Sequence, residues 1–161
     1  MKRRLFLVGL PICASVHVRG ALAAELELVI DGDIQGGAEI ALSDGDLAEL
    51  PQTTIKTSTV WTEGVHQFSG PSLALVLERF GAGSGDLRFS AVNDYGVVAD
   101  RGLVSKDAPI IARRRNGQAF GRREKGPLWI IFPYDLSPDY QTENVYAASV
   151  WQLSRITVLE G

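Results

Sequence analysis

The chain has 161 residues, of which 45% are hydrophobic and 22% are charged. This length and balance fit one globular domain with a core of its own. They exclude a disordered tail, a collagen-like or coiled-coil fibre, and a membrane protein with several spans.

The first 23 residues have the pattern of a secretory signal peptide. A basic start at Lys2-Arg3-Arg4 precedes an apolar run over Leu5–Val16 and a small-x-small ending at Ala21-Leu22-Ala23. The apolar run is short for a bilayer span, which makes an uncleaved signal anchor the weaker alternative. We therefore expect cleavage after Ala23, a domain over residues 24–161, and a periplasmic location.

Removal of this segment changes the chemistry available to the chain. Four of the 16 basic residues and none of the 19 acids lie in it, so the net charge of −3 becomes −7. The single cysteine, Cys13, leaves as well, and His66 is the one remaining histidine. The exported domain then has no cysteine nucleophile, and its negative charge disfavours binding to nucleic acid. The sequence shows no Ser/His/Asp triad and no zinc-ligand cluster.

Hydrophobic periodicity and turn residues predict the first elements of the domain. Polar–apolar alternation predicts a strand over Glu25–Ile30, and β-branched residues predict another over Thr53–Val60. A short helix is predicted over Ser43–Leu50, with a serine cap at its start and a proline after its end. The clearest helix lies over Pro71–Gly81, where apolar residues recur at helical spacing.

The second half of the chain has the pattern of a series of short strands. Asn116-Gly117 is a strong signal for a type I′ hairpin turn. Leu128–Phe132 is a continuous apolar run between prolines and predicts a strand buried on both faces. The other predicted strands are Leu87–Val92, Tyr95–Ala99, Pro109–Arg114, Gln118–Phe120 and Ser154–Leu159. The pattern indicates a single β-rich α+β domain.

Aromatic side chains beside polar ones are the first feature that suggests a binding site. Flat heteroaromatic ligands stack on such rings, while amides and carboxylates bond the ligand's edge. A pterin suits this chemistry because its edge carries N–H donors that a carboxylate can accept. The alternative is that the rings only fill the core of a small β domain. The rings concerned are Trp61, Tyr95, Trp129, Tyr134 and Trp151.

A basic segment around the Asn-Gly turn is the second such feature. Six of the twelve basic residues that remain after removal of the leader fall between residues 113 and 125. Converging on one edge, they would attract an anion or an acidic partner surface. The alternative is a solvated rim that balances nearby acids. The predicted partner-binding residues are Arg113, Arg115, Arg122 and Arg123.

Five segments occur in an order typical of one family. They are Phe68-Ser69-Gly70-Pro71, Ala91-Val92-Asn93-Asp94-Tyr95, Ile111-Ala112 followed by Asn116-Gly117, Gly126–Pro133, and Ser149–Leu153. In these segments, from about Thr53 to Leu159, the chain resembles the sulfite-oxidase-type molybdopterin-binding domain. The resemblance implies an α+β fold in a single domain, with a β-rich, mixed and barrel-like sheet arrangement.

The chain departs from that family where the enzymes bind molybdenum. Their metal-ligating cysteine belongs about where Thr57–Trp61 stands, and no cysteine occurs there. Trp129 and Val150 stand where the family usually has basic residues that would meet the phosphate of the cofactor. We therefore do not expect redox catalysis at molybdenum.

A smaller group is more similar still. The shared stretches are Thr57–Thr62, Asn93-Asp94-Tyr95, Gly126–Trp129, Thr142–Tyr146 and Val150–Leu153. They resemble the PruR-type proteins, which are exported domains of this fold that lack the cysteine and bind reduced pterins without metal. Such proteins act as periplasmic pterin sensors for membrane-bound regulators of cyclic di-GMP turnover.

The function implied by this resemblance is periplasmic pterin binding that relays pterin status to a membrane-bound signalling partner, without catalysis. The expected ligand is a reduced pterin, held non-covalently and without metal. The expected partner is the periplasmic domain of the regulator, so the chain meets the membrane only through that partner. The alternative is a molybdopterin-dependent oxidoreductase that lacks the usual cysteine ligand. The residues expected to bind the pterin are Trp61, Asn93, Asp94, Tyr95, Asn116, Trp129, Tyr134, Glu143 and Trp151.

Overall fold

The computed structural model of the protein describes residues 26–161, and the predicted signal peptide lies outside them. The strands in this range are β1 (Leu26–Gly32), β2 (Ile40–Ser43), β3 (Thr53–Thr59), β4 (Thr62–Gly70), β5 (Leu87–Ala91), β6 (Gly96–Ala99), β7 (Ile110–Ala112), β8 (Arg114–Arg115), β9 (Trp129–Ile131) and β10 (Leu153–Val158). The α-helices are α1 (Asp44–Glu49), α2 (Leu73–Arg79) and α3 (Glu143–Ala148). Short 3-10 turns cover Arg101–Leu103, Arg122–Glu124 and Pro138–Tyr140.

The strands are divided among three sheets. The largest has the order β2-β1-β10-β5-β6, and the two smaller sheets have the orders β3-β4-β8 and β7-β9. β1 and β10 run parallel, whereas the other neighbours pair antiparallel. This confirms the mixed, β-rich α+β class expected from the sequence.

Helix α1 begins where its cap was predicted. The Ser43 hydroxyl accepts a hydrogen bond from the Asp46 backbone N–H at 3.2 Å, and the Asp46 carboxylate accepts one from the Ser43 backbone N–H at 2.8 Å. This reciprocal pair satisfies two N–H groups that the first turn of a helix leaves without partners. Helix α2 starts two residues later than Pro71, because the Ser72 hydroxyl accepts from the Leu75 backbone N–H and caps it there.

The hairpin turn is confirmed, but the strands beside it are shorter than predicted. Asn116 (φ 52°) and Gly117 (φ 82°) both have the left-handed backbone of a type I′ turn. The segment predicted over Pro109–Arg114 divides into β7 and β8, which belong to different sheets. Beyond the turn, Gln118 forms a single bridge to Arg115 in place of the predicted strand over 118–120.

The core lies where β4, β7 and β9 pass one another. A side chain at Gly70 would overlap the Ile111 carbonyl oxygen, so the glycine allows β4 to cross β7 at close range. Phe68 and Trp129 are fully buried, and their ring centroids lie 5.6 Å apart. All of β9 is buried, as its apolar run predicted. Within residues 26–161, no helix has the length and apolar character needed to cross a bilayer.

Candidate functional site

A cleft of about 240 Å³ opens between the β5–β6 hairpin and helix α3. The Tyr95 hydroxyl donates to the Ala147 carbonyl at 3.4 Å and joins the two sides. Within the described part of the chain, every side chain that lines the cleft is uncharged. The lining residues are Trp61, Ala91, Asn93, Tyr95, Tyr146, Ala147, Ser149, Val150 and Trp151.

Trp61 lies at the centre of the aromatic wall. It stands at the tip of the β3–β4 hairpin, where its backbone N–H donates to Thr59 Oγ1 at 3.1 Å. Its half-buried indole packs edge-on against four other rings, with centroid distances of 5.7–6.1 Å. Contacts of this kind contribute about 0.5–1.5 kcal/mol each beyond the area they bury. The four rings are those of Trp129, Tyr134, Tyr146 and Trp151.

Trp129 and Tyr134 support this wall from the core and are absent from the cleft lining. Trp129 Nε1 donates to the Ser149 carbonyl at 3.1 Å, and the Tyr134 hydroxyl donates to Ser149 Oγ at 2.7 Å. Ser149 Oγ in turn donates to the Val145 carbonyl at 2.7 Å. Burial raises the pKa of Tyr134 well above its usual value. The polar atoms of both rings are therefore satisfied inside the protein.

Trp151 forms the other half of the aromatic wall. It lies between α3 and β10 and forms an isolated bridge with Trp129. The ammonium of Lys125 lies 4.4 Å from the centroid of its ring, which is a cation–π contact. Lys125 thus borders the aromatic wall, with its charge over the face of the Trp151 ring.

Asn93 supplies an amide at the cleft. Its Oδ1 accepts from the Tyr95 backbone N–H at 3.3 Å, which leaves its NH₂ group available as a donor. Asp94 and Glu143, the predicted carboxylate contacts, are exposed and do not belong to the cleft lining. Of the three polar residues expected to contact the edge of a pterin, Asn93 is thus the one that lines the cleft.

Asn116 has a structural role on a different edge of the protein. Its Oδ1 accepts from the Gln67 backbone N–H at 2.9 Å, and its Nδ2 lies 3.0 Å from His66 Nδ1. These bonds fix the hairpin turn against β4. Asn116 does not line the cleft, where four of the nine predicted pterin-binding residues lie: Trp61, Asn93, Tyr95 and Trp151.

The four predicted partner-binding arginines differ in how far they are available to a partner. Arg113 is only 9% exposed, and its guanidinium makes two bonds to the Asp44 carboxylate at 2.8 and 2.6 Å. Arg115 pairs with Glu124 at 2.7 Å. Arg122 and Arg123 are exposed and form no salt bridge with any residue in the range 26–161.

The Asp44 carboxylate is shared by two guanidinium groups. Arg114 also pairs with it, at 2.9 Å. Burial alone would raise the pKa of Asp44, but the hydrogen bonds and charges of Arg113 and Arg114 outweigh that effect and lower it. These arginines therefore hold helix α1 against the β7–β8 segment.

Sequence reasoning did not single out Tyr146 or the segment Ala147–Val150 as part of the site. Thr142 caps α3 by accepting from the Val145 backbone N–H, and Tyr146 follows on that helix. Tyr146 closes the aromatic wall with its ring centroid 5.7 Å from that of Trp61. The stretch Thr142–Tyr146 could have indicated Tyr146, because this tyrosine lies one turn after the residue that caps the helix.

No family model and no curated protein matches the sequence of this chain. Among solved structures, the fold is similar to that of the sulfane dehydrogenase SoxCD from Paracoccus pantotrophus, with a TM-score of 0.63 at 17% sequence identity. The chain has the sulfite-oxidase-type fold. The match covers 86% of this chain and 39% of the SoxCD chain, so this protein corresponds to less than half of that chain.

This likeness confirms the fold that the five ordered segments implied. At this identity it shows the fold alone, and the similarity to PruR-type proteins stays a prediction.

Proposed function

We propose that this sulfite-oxidase-type domain binds a reduced pterin in the cleft, without metal, and acts as a binding protein rather than an enzyme. The observation that carries the proposal is the uncharged aromatic wall of Trp61 and Trp151 with the Asn93 amide beside it. Rings hold a flat ligand through its faces and edges, and the amide selects among ligands by their hydrogen-bonding edge.

The size and polarity of the cleft suit a single bicyclic ring. Sites for drug-sized ligands run from about 300 to 1,000 Å³, and this cleft, at about 240 Å³, is somewhat smaller. The amide of Asn93 can both donate and accept, which matches the neighbouring amino and oxo groups on the edge of a pterin. A neutral lining favours a neutral ring, because an unpaired charge would lose hydration there without gaining a partner.

Molybdopterin, the alternative ligand that the fold suggests, fits these residues poorly. Residues 26–161 contain no cysteine, and no three His, Asp or Glu side chains in that range form a metal-binding group. Where the enzymes have their cysteine, the Thr57 hydroxyl donates to the Ser58 carbonyl at 3.0 Å, and Thr59 shares a bond with Thr62 at 2.8 Å. Among the described residues no cation lines the cleft, and Lys125 at its border already lies over the Trp151 ring. We assign no reaction step to molybdenum.

The signalling role extends the same proposal. A binding protein without catalytic groups can affect the cell through a partner that recognises its ligand-bound form. We infer that the partner is the periplasmic domain of a membrane-bound regulator of cyclic di-GMP turnover, and that export depends on residues 1–23. Arg122 and Arg123 are candidates for contact with an acidic partner, because they are adjacent exposed cations that form no salt bridge within residues 26–161.

Anaerobic titration of the purified protein with 6-methyltetrahydropterin tests the binding proposal. We expect saturable heat in calorimetry and a rise in the thermal midpoint as the pterin exceeds its Kd. Asn93→Ala should weaken binding about tenfold, since one hydrogen bond to the ligand edge is lost.

Asn144→Ala is the matched control, because Asn144 is an exposed asparagine on α3 that does not line the cleft. It should bind the pterin as the unaltered protein does. Equal affinity in the Asn93 and Asn144 variants, or no binding at all, would contradict the proposed site.

A further inference from the structure

Strained backbone is concentrated beside the cleft. Among residues 26–161, four non-glycine residues have a left-handed backbone, and one of them, Asn116, belongs to the type I′ hairpin. The other three are Asp94 (φ 63°), Lys125 (φ 73°) and Gln152 (φ 51°). Lysine and glutamine seldom adopt this conformation, so surrounding contacts must hold Lys125 and Gln152 in it.

Gln152 joins three segments through hydrogen bonds. Its backbone carbonyl accepts from the Val92 N–H at 3.0 Å, next to Asn93 in the cleft. Its backbone N–H donates to the Lys125 carbonyl at 3.2 Å, and its side-chain Nε2 donates to the Arg122 carbonyl at 2.9 Å. Gln152 also follows Trp151 directly in the chain.

The two carbonyls that Gln152 contacts belong to a basic turn, which we define as residues 121–126. Its internal bonds run from the Glu124 N–H and the Gly126 N–H to the Gly121 carbonyl, both at 2.9 Å, and from the Lys125 N–H to the Arg122 carbonyl at 3.2 Å. The conformation of the basic turn therefore depends on the position of Gln152. That position depends in turn on Trp151, which lines the cleft, and on Val92, which precedes the cleft residue Asn93.

We propose that Gln152 is a positioning residue that couples occupancy of the cleft to the stability of the basic turn. The inference rests on the proposed pterin binding and adds the route by which a ligand alters the surface of Arg122 and Arg123. A ring held between Trp151 and Asn93 restrains Trp151, which precedes Gln152, and Asn93, which follows the Val92 that bonds to Gln152. Its bonds to the basic turn then open less often, and the turn presents its cations in one arrangement.

Hydrogen exchange of backbone amides tests the coupling. The full exported chain is compared with and without saturating 6-methyltetrahydropterin, whose binding is measured on the same samples by calorimetry. We expect the pterin to slow exchange at Lys125 and Gly126 about fivefold. A change of this size corresponds to the net strength of one hydrogen bond that must break before exchange.

Gln152→Asn is the informative variant. Asparagine tolerates the left-handed backbone, but its side chain is one methylene too short to reach the Arg122 carbonyl. Gln152→Gly accepts the same backbone without any side chain and serves as the second variant. Both should bind pterin and lose most of the slowing of exchange in the basic turn, since only the backbone bond to the Lys125 carbonyl remains. Gln67→Asn, an exposed glutamine on β4, should keep it.

The outcomes separate the coupling from the proposed function. Pterin binding without slower exchange in the basic turn would overturn the coupling and leave the binding site intact. If the pterin slows exchange in both Gln152 variants as much as in the unaltered protein, the role of Gln152 is overturned. Absence of pterin binding would overturn the proposed function and this inference with it.

Discussion

The indole rings of Trp61 and Trp151 pack edge to face, with centroids 5.7 Å apart and planes inclined at 65°. One ring comes from the tip of the β3–β4 hairpin, and the other from the segment that leads into β10. The contact therefore joins parts of the chain that are far apart in sequence. Both rings line the cleft, so the pair serves the fold and the candidate binding site together.

Trp61→Ala should weaken pterin binding at least tenfold and lower the free energy of unfolding by about 2 kcal/mol. The half-buried ring contacts four others, and its removal leaves their edges unpacked. Trp61→Phe keeps a ring, so its losses of pterin affinity and of stability should both be smaller. Calorimetric titration and urea denaturation measure the two effects. Unchanged affinity in the alanine variant would remove Trp61 from the site.

Tyr134→Phe should lower stability by about 1 kcal/mol, because it removes one buried hydrogen bond to Ser149 Oγ. Ser149 Oγ keeps its own bond to the Val145 carbonyl, which limits the damage. Pterin affinity should stay within about twofold of the original, since the buried hydroxyl lies outside the cleft lining. A large loss of pterin affinity with an unchanged free energy of unfolding would show that Tyr134 acts on the ligand, as the sequence first suggested.

Asp44 should make the stability of the fold depend on acid pH. The folded pKa of Asp44 lies below its ordinary value, so the carboxylate contributes stability above about pH 4. That contribution is lost as the pH falls through the lowered pKa. Asp44→Asn should cost about 1–2 kcal/mol at pH 7, and much less at the acid end where Asp44 itself is protonated. Urea denaturation of both proteins from neutral to acid pH measures the difference in their free energies of unfolding. A difference that stays constant with pH would contradict the lowered pKa of Asp44.

Arg113→Ala and the double change Arg122→Ala, Arg123→Ala should behave differently. Arg113 is buried against Asp44, so its removal should cost about 1–2 kcal/mol of stability. The exposed pair should change stability by less than about 0.5 kcal/mol and leave pterin affinity unchanged. Thermal denaturation and calorimetric titration distinguish the cases. Loss of pterin affinity in the double variant would show that its arginines act on the ligand rather than on a partner.

Elements with strong local signals could be predicted from the sequence. The serine cap of α1 and the Asn116-Gly117 turn depend on a few neighbouring residues, and the structure has both. The burial of β9 could also be predicted, because the run around it consists of apolar residues. Interactions within a few positions of the chain suffice to specify such elements.

Strand β4 could not be predicted, because its pattern is polar and contains Gly64. It forms by pairing along its length with β3 in a hairpin and at its end with β8. Helix α3 has only six residues, too few for a clear helical period. These elements depend on tertiary partners that a linear pattern does not show.

The candidate site was predicted in part for the same reason. Trp61, Asn93, Tyr95 and Trp151 line one cleft, whereas the equally aromatic Trp129 is fully buried. Spacing along the chain does not tell a ring that lines a cleft from one that supports it. Likewise, Arg113 meets an acid 69 positions away, so its use inside the fold could not be inferred from the basic segment alone.

The small molecule that occupies the cleft in the cell decides most directly between a pterin-binding protein and a molybdenum enzyme. The full chain is purified anaerobically from its native host, denatured, and analysed by mass spectrometry for released ligands and by elemental analysis for molybdenum. We predict a reduced pterin that carries no phosphate, with molybdenum far below one atom per chain. Stoichiometric molybdenum together with molybdopterin would contradict the proposed function.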